Sequence, residues 1–382
     1  MPWKETCVMD ERLLLVARYR EGRHPMTELC REAGISRKTA YKWLARFAEA
    51  GAAGLINRSR APHVQARQTA EDVVERVVAF KRRYPRWGPK KLVAALRKRE
   101  PKVSWPAPST VSEILDAQGL VKRRKRRSKT PCYPHPLLPF EAPNGVWTAD
   151  FKGQFKTGNG AYCYPLTIAD GFSRFVLKCE ANVQVNHCYT QPGFQRAFEE
   201  YGLPKAIRTD NGPPFANRGL GISRLSVWWM KLGIRHERIE PGHPEQNGCH
   251  ERMHRTLKAD TTKPPAKTLR GQQQRFDRWR REFNEERPHE ALDLRPPADL
   301  YGVSGRRYPA KVPEVTYPSG FTVRQVRQNG AIKWHSQLIY TSISLVHEPV
   351  GLELIDDGRW RVYFTQEPIG ILDEHLKKVL PM

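Results

Sequence analysis

Apolar residues recur at helical spacing through residues 10–50. In "MTELCREAGISRKTAYKWLARFAEAG" (26–51) one periodic segment is followed by a break at Ala33-Gly34-Ile35-Ser36, and then by a second. Ser36 is placed to cap that second helix, because its hydroxyl can accept from a backbone N–H that has no partner inside the helix. Ala40, Trp43, Leu44 and Phe47 then share the inward face, which leaves Arg37, Lys38, Thr39 and Lys42 near the exposed N-terminal turns. Helix, glycine turn and helix, with basic and hydroxyl groups leading the second, is the pattern of a helix-turn-helix that enters the DNA major groove. The alternative is an ordinary helical hairpin.

"AEDVVERVVAFKRRYPRWGPKKLVAALRKRE" (70–100) holds two more periodic stretches split at Tyr84–Pro89, and "PSTVSEILDAQGLV" (108–121) adds a third. A second helix-turn-helix-like module over 68–121 is expected, with a spacer bundle as the competing reading. "KRRKRRSK" (122–129) then places seven cations in eight residues and runs into a proline-rich segment. Such a stretch does not pack, so 122–145 is a linker or a phosphate-binding arm.

The period changes after residue 145. "GVWTADFKGQF" and "AYCYPLTIADGFSRFVLKCEA" are β-rich runs separated by the turn signal "KTGNG". "NHCYTQPGFQRAFEEYG" is amphipathic at helical spacing, "LPKAIRTD" reads as a buried strand, "GISRLSVWWMKLG" as a helix and "IRHERIEP" as a short strand. "CHERMHRTLKAD" returns to helix, and "TLRGQQQRFDRWRREFNEERPHEAL" reads as one long polar helix ending at Pro288. Three strands followed by alternating helix and strand predict a mixed α/β sheet. Beyond residue 318 the pattern is all-β around Asn329-Gly330 and Asp357-Gly358, two hairpin signals, and a small C-terminal β-barrel over 318–382 is expected.

Charge narrows the function. Lys and Arg number 65 against 40 acids, for a formal net charge of +25. An excess of this size implies a polyanionic partner, most simply nucleic acid, since each neutralised phosphate releases counterions. No apolar run approaches the roughly 20 residues needed to span a bilayer, and the first twenty residues lack a signal-peptide layout. The seven cysteines are scattered without a C-x-x-C, which argues against a disulfide framework or a zinc ribbon. A soluble protein of a reducing compartment is expected, with no membrane partner.

Against that basic background three acids stand out. Asp150 ends the strand "VWTAD", Asp210 ends "AIRTD", and Glu251 lies near the start of the helix "CHERMHRTLKAD". Acids at the carboxyl ends of sheet strands lie where ligands bind in α/β proteins. Mg²⁺ takes oxygen ligands, and two such ions about 3.5–4 Å apart can activate a nucleophile and stabilise a leaving oxygen at a phosphodiester. Arg255 and Lys258 fall on the same helical face as Glu251, while Met253 and Leu257 fall on the opposite side. His243, Cys249, His250 and His254 cluster nearby, but their order is not H-E-x-x-H, and a zinc site is not expected.

"WTADFKG", "RTDNGPPF", "GHPEQNGCHERMHRTLK" and "FNEERPHEAL", in that order, resemble the integrase-core DDE transposases of bacterial insertion sequences, relatives of the retroviral integrases. The resemblance is strong over roughly residues 146–300 and looser in the flanks. It implies an RNase H-like core over 146–305 in which Asp150, Asp210 and Glu251 are the catalytic, metal-binding triad for Mg²⁺ or Mn²⁺, two ions per site. Glu245 stands nearer the family's usual spacing, whereas Glu251 follows the "P-x-x-N-G" loop on the next helix, and Glu251 is preferred. The His-His-Cys-Cys zinc module of retroviral integrases is absent, because only His24 and His63 occur in the first 130 residues.

The expected architecture is multidomain: an all-α helix-turn-helix domain over 1–60, the second module, the linker, the α/β integrase core with a mixed sheet, and the barrel. The expected activity is cleavage at the ends of a mobile element to expose a 3′-OH, then joining of that end to target DNA. DNA contacts are expected from Arg37, Lys38, Thr39, Lys42, Lys122, Arg123, Arg124, Lys125, Arg126, Arg127, Arg255 and Lys258. Cutting and joining two ends needs at least a homodimer on the terminal repeats and target, in a bacterial cytoplasmic, nucleoid-associated setting. A non-catalytic DNA-binding regulator and a purely hydrolytic nuclease are the rival readings.

Overall fold

A computed structural model describes residues 7–58, 69–121, 137–217 and 220–381. The chain divides into two compact units, Met1–Thr69 and Ala70–Met382. In the first, α1 (Val8–Glu21), α2 (Met26–Glu32) and α3 (Arg37–Ala50) are followed by a 3₁₀ turn over Gly51–Leu55. Ser36 caps α3 by accepting from the Thr39 N–H at 3.2 Å. Ala40 and Trp43 are buried, with Leu44 and Phe47 packed beside Trp43. Gly54 approaches α3 so closely that a Cβ there would sit 2.0 Å from the Arg46 carbonyl oxygen, so only glycine fits.

The second unit opens with α4 (Glu71–Arg83), α5 (Pro89–Arg99) and α6 (Pro108–Ala117). Pro89 and Pro108 occupy first turns, where a missing N–H costs no helical bond. The three helices close over Val77, Leu92, Leu96, Val111 and Leu115, and Tyr84 stacks on Trp87 in the intervening turn at 4.1 Å. This module docks on the rest of the unit through polar pairs. Tyr84 donates to Glu286, Arg86 pairs with Asp260 at 2.6 Å, and Lys98 with Asp299 at 2.7 Å.

The sheet follows. β1 (Val146–Phe151), β2 (Phe155–Lys156), β3 (Tyr162–Asp170) and β4 (Val176–Asn182) precede α7 (His187–Tyr201). Then come β5 (Ala206–Thr209), α8 (Arg224–Lys231), β6 (Arg235–Arg238), α9 (Gly248–Thr261) and α10 (Leu269–Arg281). Four strands stand where three were expected, because the two-residue β2 pairs with β3 as its own short ladder. The order is β2–β3–β1–β5–β6, with β4 also on β3; β1 runs antiparallel to β3 and parallel to β5, so the sheet is mixed. The long polar helix expected to reach Pro288 stops at Arg281 and continues as one π turn over Glu282–Glu286. That turn contains Asn284, whose amide brackets Val176 at the start of β4, accepting from its N–H at 2.8 Å and donating to its carbonyl at 2.9 Å.

Strand alternation sorts the side chains between two faces. Trp147, Ala149, Leu166 and Ile168 pack with Phe194 and Phe198 of α7 and Trp229 of α8. The other face is closed by α9 and α10, whose Met253, Leu257, Phe276 and Trp279 bury Cys163, Ala169, Val176 and Cys179. Thr148, Asp150 and Thr167, one residue out of step with the first set, reach side chains of α9. Between the parallel strands β5 and β6, Arg208 and Glu237 sit in register and pair at 3.0 Å, both almost wholly buried. Leu138 completes this pair, its N–H donating to Glu237 and its carbonyl accepting from Arg208.

The C-terminal strands are β7 (Thr322–Gln325), β8 (Ala331–Trp334), β9 (Gln337–Tyr340), β10 (Pro349–Asp356), β11 (Arg359–Phe364), β12 (Glu367–Asp373) and β13 (Lys378–Leu380). They form an antiparallel sheet β13–β12–β11–β10–β7 and a separate hairpin β8–β9, not the closed barrel expected. The turn at Asn329-Gly330 is present, with Gly330 at φ 75°, yet β7 pairs with β10 and β8 with β9. An open sheet suffices here because its apolar face is covered. Val350, Leu352, Val362, Phe364 and Leu372 share a core with Ile332, Trp334 and Ile339 of the hairpin and with Ile222, Val227 and Met230 around α8. No helix among the described residues is long and apolar enough to cross a membrane.

Candidate active site

β1 and β5 lie side by side in parallel with Thr148 opposite Arg208. Carried two residues further, that register sets Asp150 beside Asp210, which immediately follows β5. Glu251 is in the first turn of α9, the helix that covers this end of the sheet. Asp150 and Glu251 line one cleft of about 610 Å³ together with Arg86, Lys152, His254, Arg255, Lys258 and Lys263. Arg86 is already paired with Asp260, so Lys152, Arg255, Lys258 and Lys263 are the cations that face the acids.

Electrostatics ties Asp210 to the pair. The Asp150 carboxyl is pushed up to about 7, first by burial and then by the charge of Asp210, with Glu251 adding to the rise. The Phe151 N–H and Lys152 oppose it without cancelling it. Asp210 is also raised by burial, against one hydrogen bond from the Gly212 N–H at 3.2 Å. Asp210 and Glu251 therefore both act on the buried Asp150 carboxyl, with Lys152 opposing them.

α9 is pinned to the sheet by a polar cluster that sequence reading missed. The Thr167 hydroxyl lies 2.6 Å from Nε2 of both His250 and His254, and 3.1 Å from the Asp150 carbonyl oxygen. A hydroxyl has one proton. With that proton given to the carbonyl, both imidazoles donate from Nε2, and His250 Nδ1 lies 2.8 Å from the Thr148 hydroxyl, which also reaches the Ala169 carbonyl oxygen at 3.3 Å. His254 then turns a bare Nδ1 toward Asp150 Oδ2 at 3.5 Å and brings it no positive charge. Burial holds His250 down to about 3 and His254 well below its ordinary value. The signal lay in the i, i+4 histidines of "CHERMH" and the Thr-x-Asp alternation of "WTAD", but only packing joins them.

Two donor sets can be compared. Among the described residues Asp150, His250 and His254 bring ligand atoms within 4.8 Å of one another, whereas Asp150, Asp210 and Glu251 do not converge that closely; both Nε2 atoms are engaged by Thr167, and His254 Nδ1 lies 3.5 Å from Asp150 Oδ2. Carboxylate oxygens such as those of Asp150, Asp210 and Glu251 are the donor type that suits a hard divalent cation.

Of the other expected DNA-contacting residues, Arg37, Lys38 and Lys42 are exposed at the start of α3, and Thr39 is half-buried with its hydroxyl 3.0 Å from that of Ser36. Arg255 and Lys258 line the acidic cleft. Lys122, Arg123, Arg124, Lys125, Arg126 and Arg127 lie outside the described residues.

Comparison with known families agrees with this layout. Residues 141–244 and 232–297 match integrase core domains, residues 11–63 match a helix-turn-helix domain, and residues 39–115 match a homeodomain-like domain. The integrase-core matches thus lie C-terminal to the helix-turn-helix and homeodomain-like matches. An uncharacterized 39.2 kDa protein of insertion element IS476 from Xanthomonas euvesicatoria is 28% identical over 227 residues, 59% of this chain and 63% of that protein. A 31.7 kDa protein of insertion element IS407 from Burkholderia multivorans is 29% identical over 187 residues, 47% of this chain and again 63% of the relative. The chain thus spans just under two thirds of both relatives. The HTLV-2 integrase catalytic core domain in complex with magnesium aligns over 42% of this chain and 98% of its own at 19% identity, with a TM-score of 0.34. Over these regions the chain is similar to integrase core domains and to proteins of bacterial insertion elements.

Proposed function

We propose that this protein is a divalent-metal-dependent transposase that cuts at the ends of a mobile DNA element and joins them to target DNA. The observation that carries this reading is the cationic cleft in which Asp150 and Glu251 meet, with the charge of Asp210 felt at Asp150. Their carboxylate oxygens fit Mg²⁺ or Mn²⁺, which when bound would supply Lewis-acid activation of a nucleophile and charge neutralisation at the phosphodiester. Lys152, Arg255, Lys258 and Lys263 bind the phosphates flanking the scissile bond and keep the strand in place against the acids' repulsion. The Thr167–His250–His254 cluster orients Asp150 and α9. In the first reaction water adds to phosphorus and the P–O3′ bond breaks, leaving a 3′-OH on the element. In the second that 3′ oxygen bonds to a target phosphorus, and the target strand's own 3′ oxygen departs. Positioning and charge stabilisation dominate such transfers. The exposed start of α3 would read the element's ends, and a dimer or larger assembly would bring two ends together.

A strand-transfer assay with element-end DNA and Mg²⁺ tests this. Asp150→Asn, Asp210→Asn and Glu251→Gln are each expected to lower joined product about a thousandfold or more, equivalent to roughly 4 kcal/mol of barrier. Undiminished joining in Asp210→Asn refutes the triad. Cleavage without joining points to a hydrolytic nuclease, and binding without nicking to a regulator.

A further inference from the structure

A second cavity, of about 350 Å³, lies along α9 beside the acidic cleft. Five cations line it from four parts of the second unit: Lys91 of α5, Arg174 between β3 and β4, Arg252 and Arg255 of α9, and Arg287 after the π turn. Arg255 lines the acidic cleft as well, so the two sites share a wall.

The acids present do not balance these cations. Asp170 is spent on the N–H groups of Asn144 and Ser173 and on the Ser173 hydroxyl, at 2.6–2.8 Å. Asp260 sits 3.9 Å from Arg287 but is held at 2.6 Å by Arg86. Glu290 is exposed and acts on Lys91, and Glu282 acts with Asp260 on Arg287, which leaves Arg174, Arg252 and Arg255 in excess. Two buried polar atoms in the cavity wall, Arg174 Nη1 and His289 Nε2, have no hydrogen-bond partner. The neighbouring cations also act on two groups in the cavity wall. Lys91 is held down to about 8 by burial and then by Arg287. His289 is held down to about 3 by burial and then by Lys91, Arg287 and Arg174.

We infer that this cavity seats a backbone phosphate of the DNA strand whose neighbouring phosphate lies at the acidic cleft. Guanidinium forks match phosphate oxygens, and an ammonium adds a point charge, so Arg174, Arg287 and Lys91 suit one tetrahedral anion. The contact is to backbone and carries no sequence information. Because Lys91 comes from the α4–α6 module, a bound strand would also tie that module to the catalytic region. The inference rests on the DNA-acting reading above, and its test is separable from it.

Full-length protein and fluorescein-labelled duplexes of two unrelated sequences are used, with binding read by anisotropy over a salt series. Lys91→Gln/Arg174→Gln is expected to weaken both duplexes equally, about tenfold, and to lower the slope of log affinity against log salt by about one. An unchanged slope overturns the inference. Wild-type protein gives a reading independent of any folding defect: amine acylation followed by mass spectrometry is expected to find Lys91 labelled in the free chain and shielded by duplex. Lys91 shielded by inorganic phosphate but not by duplex, or by neither, overturns the inference. Asp150→Asn is expected to retain the shielding. Shielding without any nicking in wild type overturns the catalytic reading and leaves the phosphate seat standing.

Discussion

Asp150 meets conditions that an aspartate at a solvent-facing strand end escapes. Burial, Asp210 and Glu251 all penalise its charge, and burial keeps the nearest histidine, His254, from supplying a positive one. Metal-free folded chain therefore keeps the Asp150 proton up to about pH 7, while an unfolded aspartate loses it near 3.8. Between those values the folded state binds more protons, so this residue's contribution to stability falls as pH rises through the window and then levels. Asp150→Asn is expected to stabilise metal-free protein progressively more from about pH 4 to about pH 7, by roughly 2–4 kcal/mol at the top. Thermal melts of both proteins across that range check it, and a pH-independent difference would contradict the electrostatic account. Added Mg²⁺ is expected to shrink the difference by restoring countercharge to wild type.

At the scale of elements, two polar clusters hold the site. α9 is tied to β1 and β3 through Thr148, Thr167, His250 and His254. Thr167→Val keeps the shape but removes the hydroxyl that partners both Nε2 atoms, and each buried orphan costs about 1–3 kcal/mol. We expect a loss of about 2–4 kcal/mol in denaturant unfolding, with strand transfer falling alongside, and recovery of both in Thr167→Ser. The Arg208–Glu237 pair fixes β5 against β6 directly before Asp210. Arg208→Ala strands a buried carboxylate, and a loss of about 3–5 kcal/mol in the same measurement is expected. A change below about 1 kcal/mol, the worth of an exposed pair, would mean that water reaches the site.

Across the whole molecule the excess of cations decides how DNA is met. With a net charge of +25, affinity for duplex of any sequence is expected to fall about a thousandfold or more between roughly 50 and 200 mM salt. A shallow dependence measured by anisotropy would show that the charge is merely a solvated surface. The helix-turn-helix in the first unit, the mixed sheet and the C-terminal strands could all be read along the chain, because apolar period and turn residues are local properties. Ser36, Ala40 and Trp43 behave as their spacing implies. Local signals do not choose partners, however. Asn329-Gly330 marks a true turn, but β7 leaves for β10 and the barrel gives way to an open sheet lying over α8.

The order of acids and the basic balance were written in the linear chain, since charge type and strand ends depend on neighbours in sequence. Which groups would surround those acids was not. His250, His254 and Thr167 join Asp150 only after α9 folds across the sheet, and Lys91 reaches Arg174 and Arg287 only after α5 docks beside it. Such contacts link residues far apart along the chain, and they arise from packing two faces of one sheet, which no local pattern encodes.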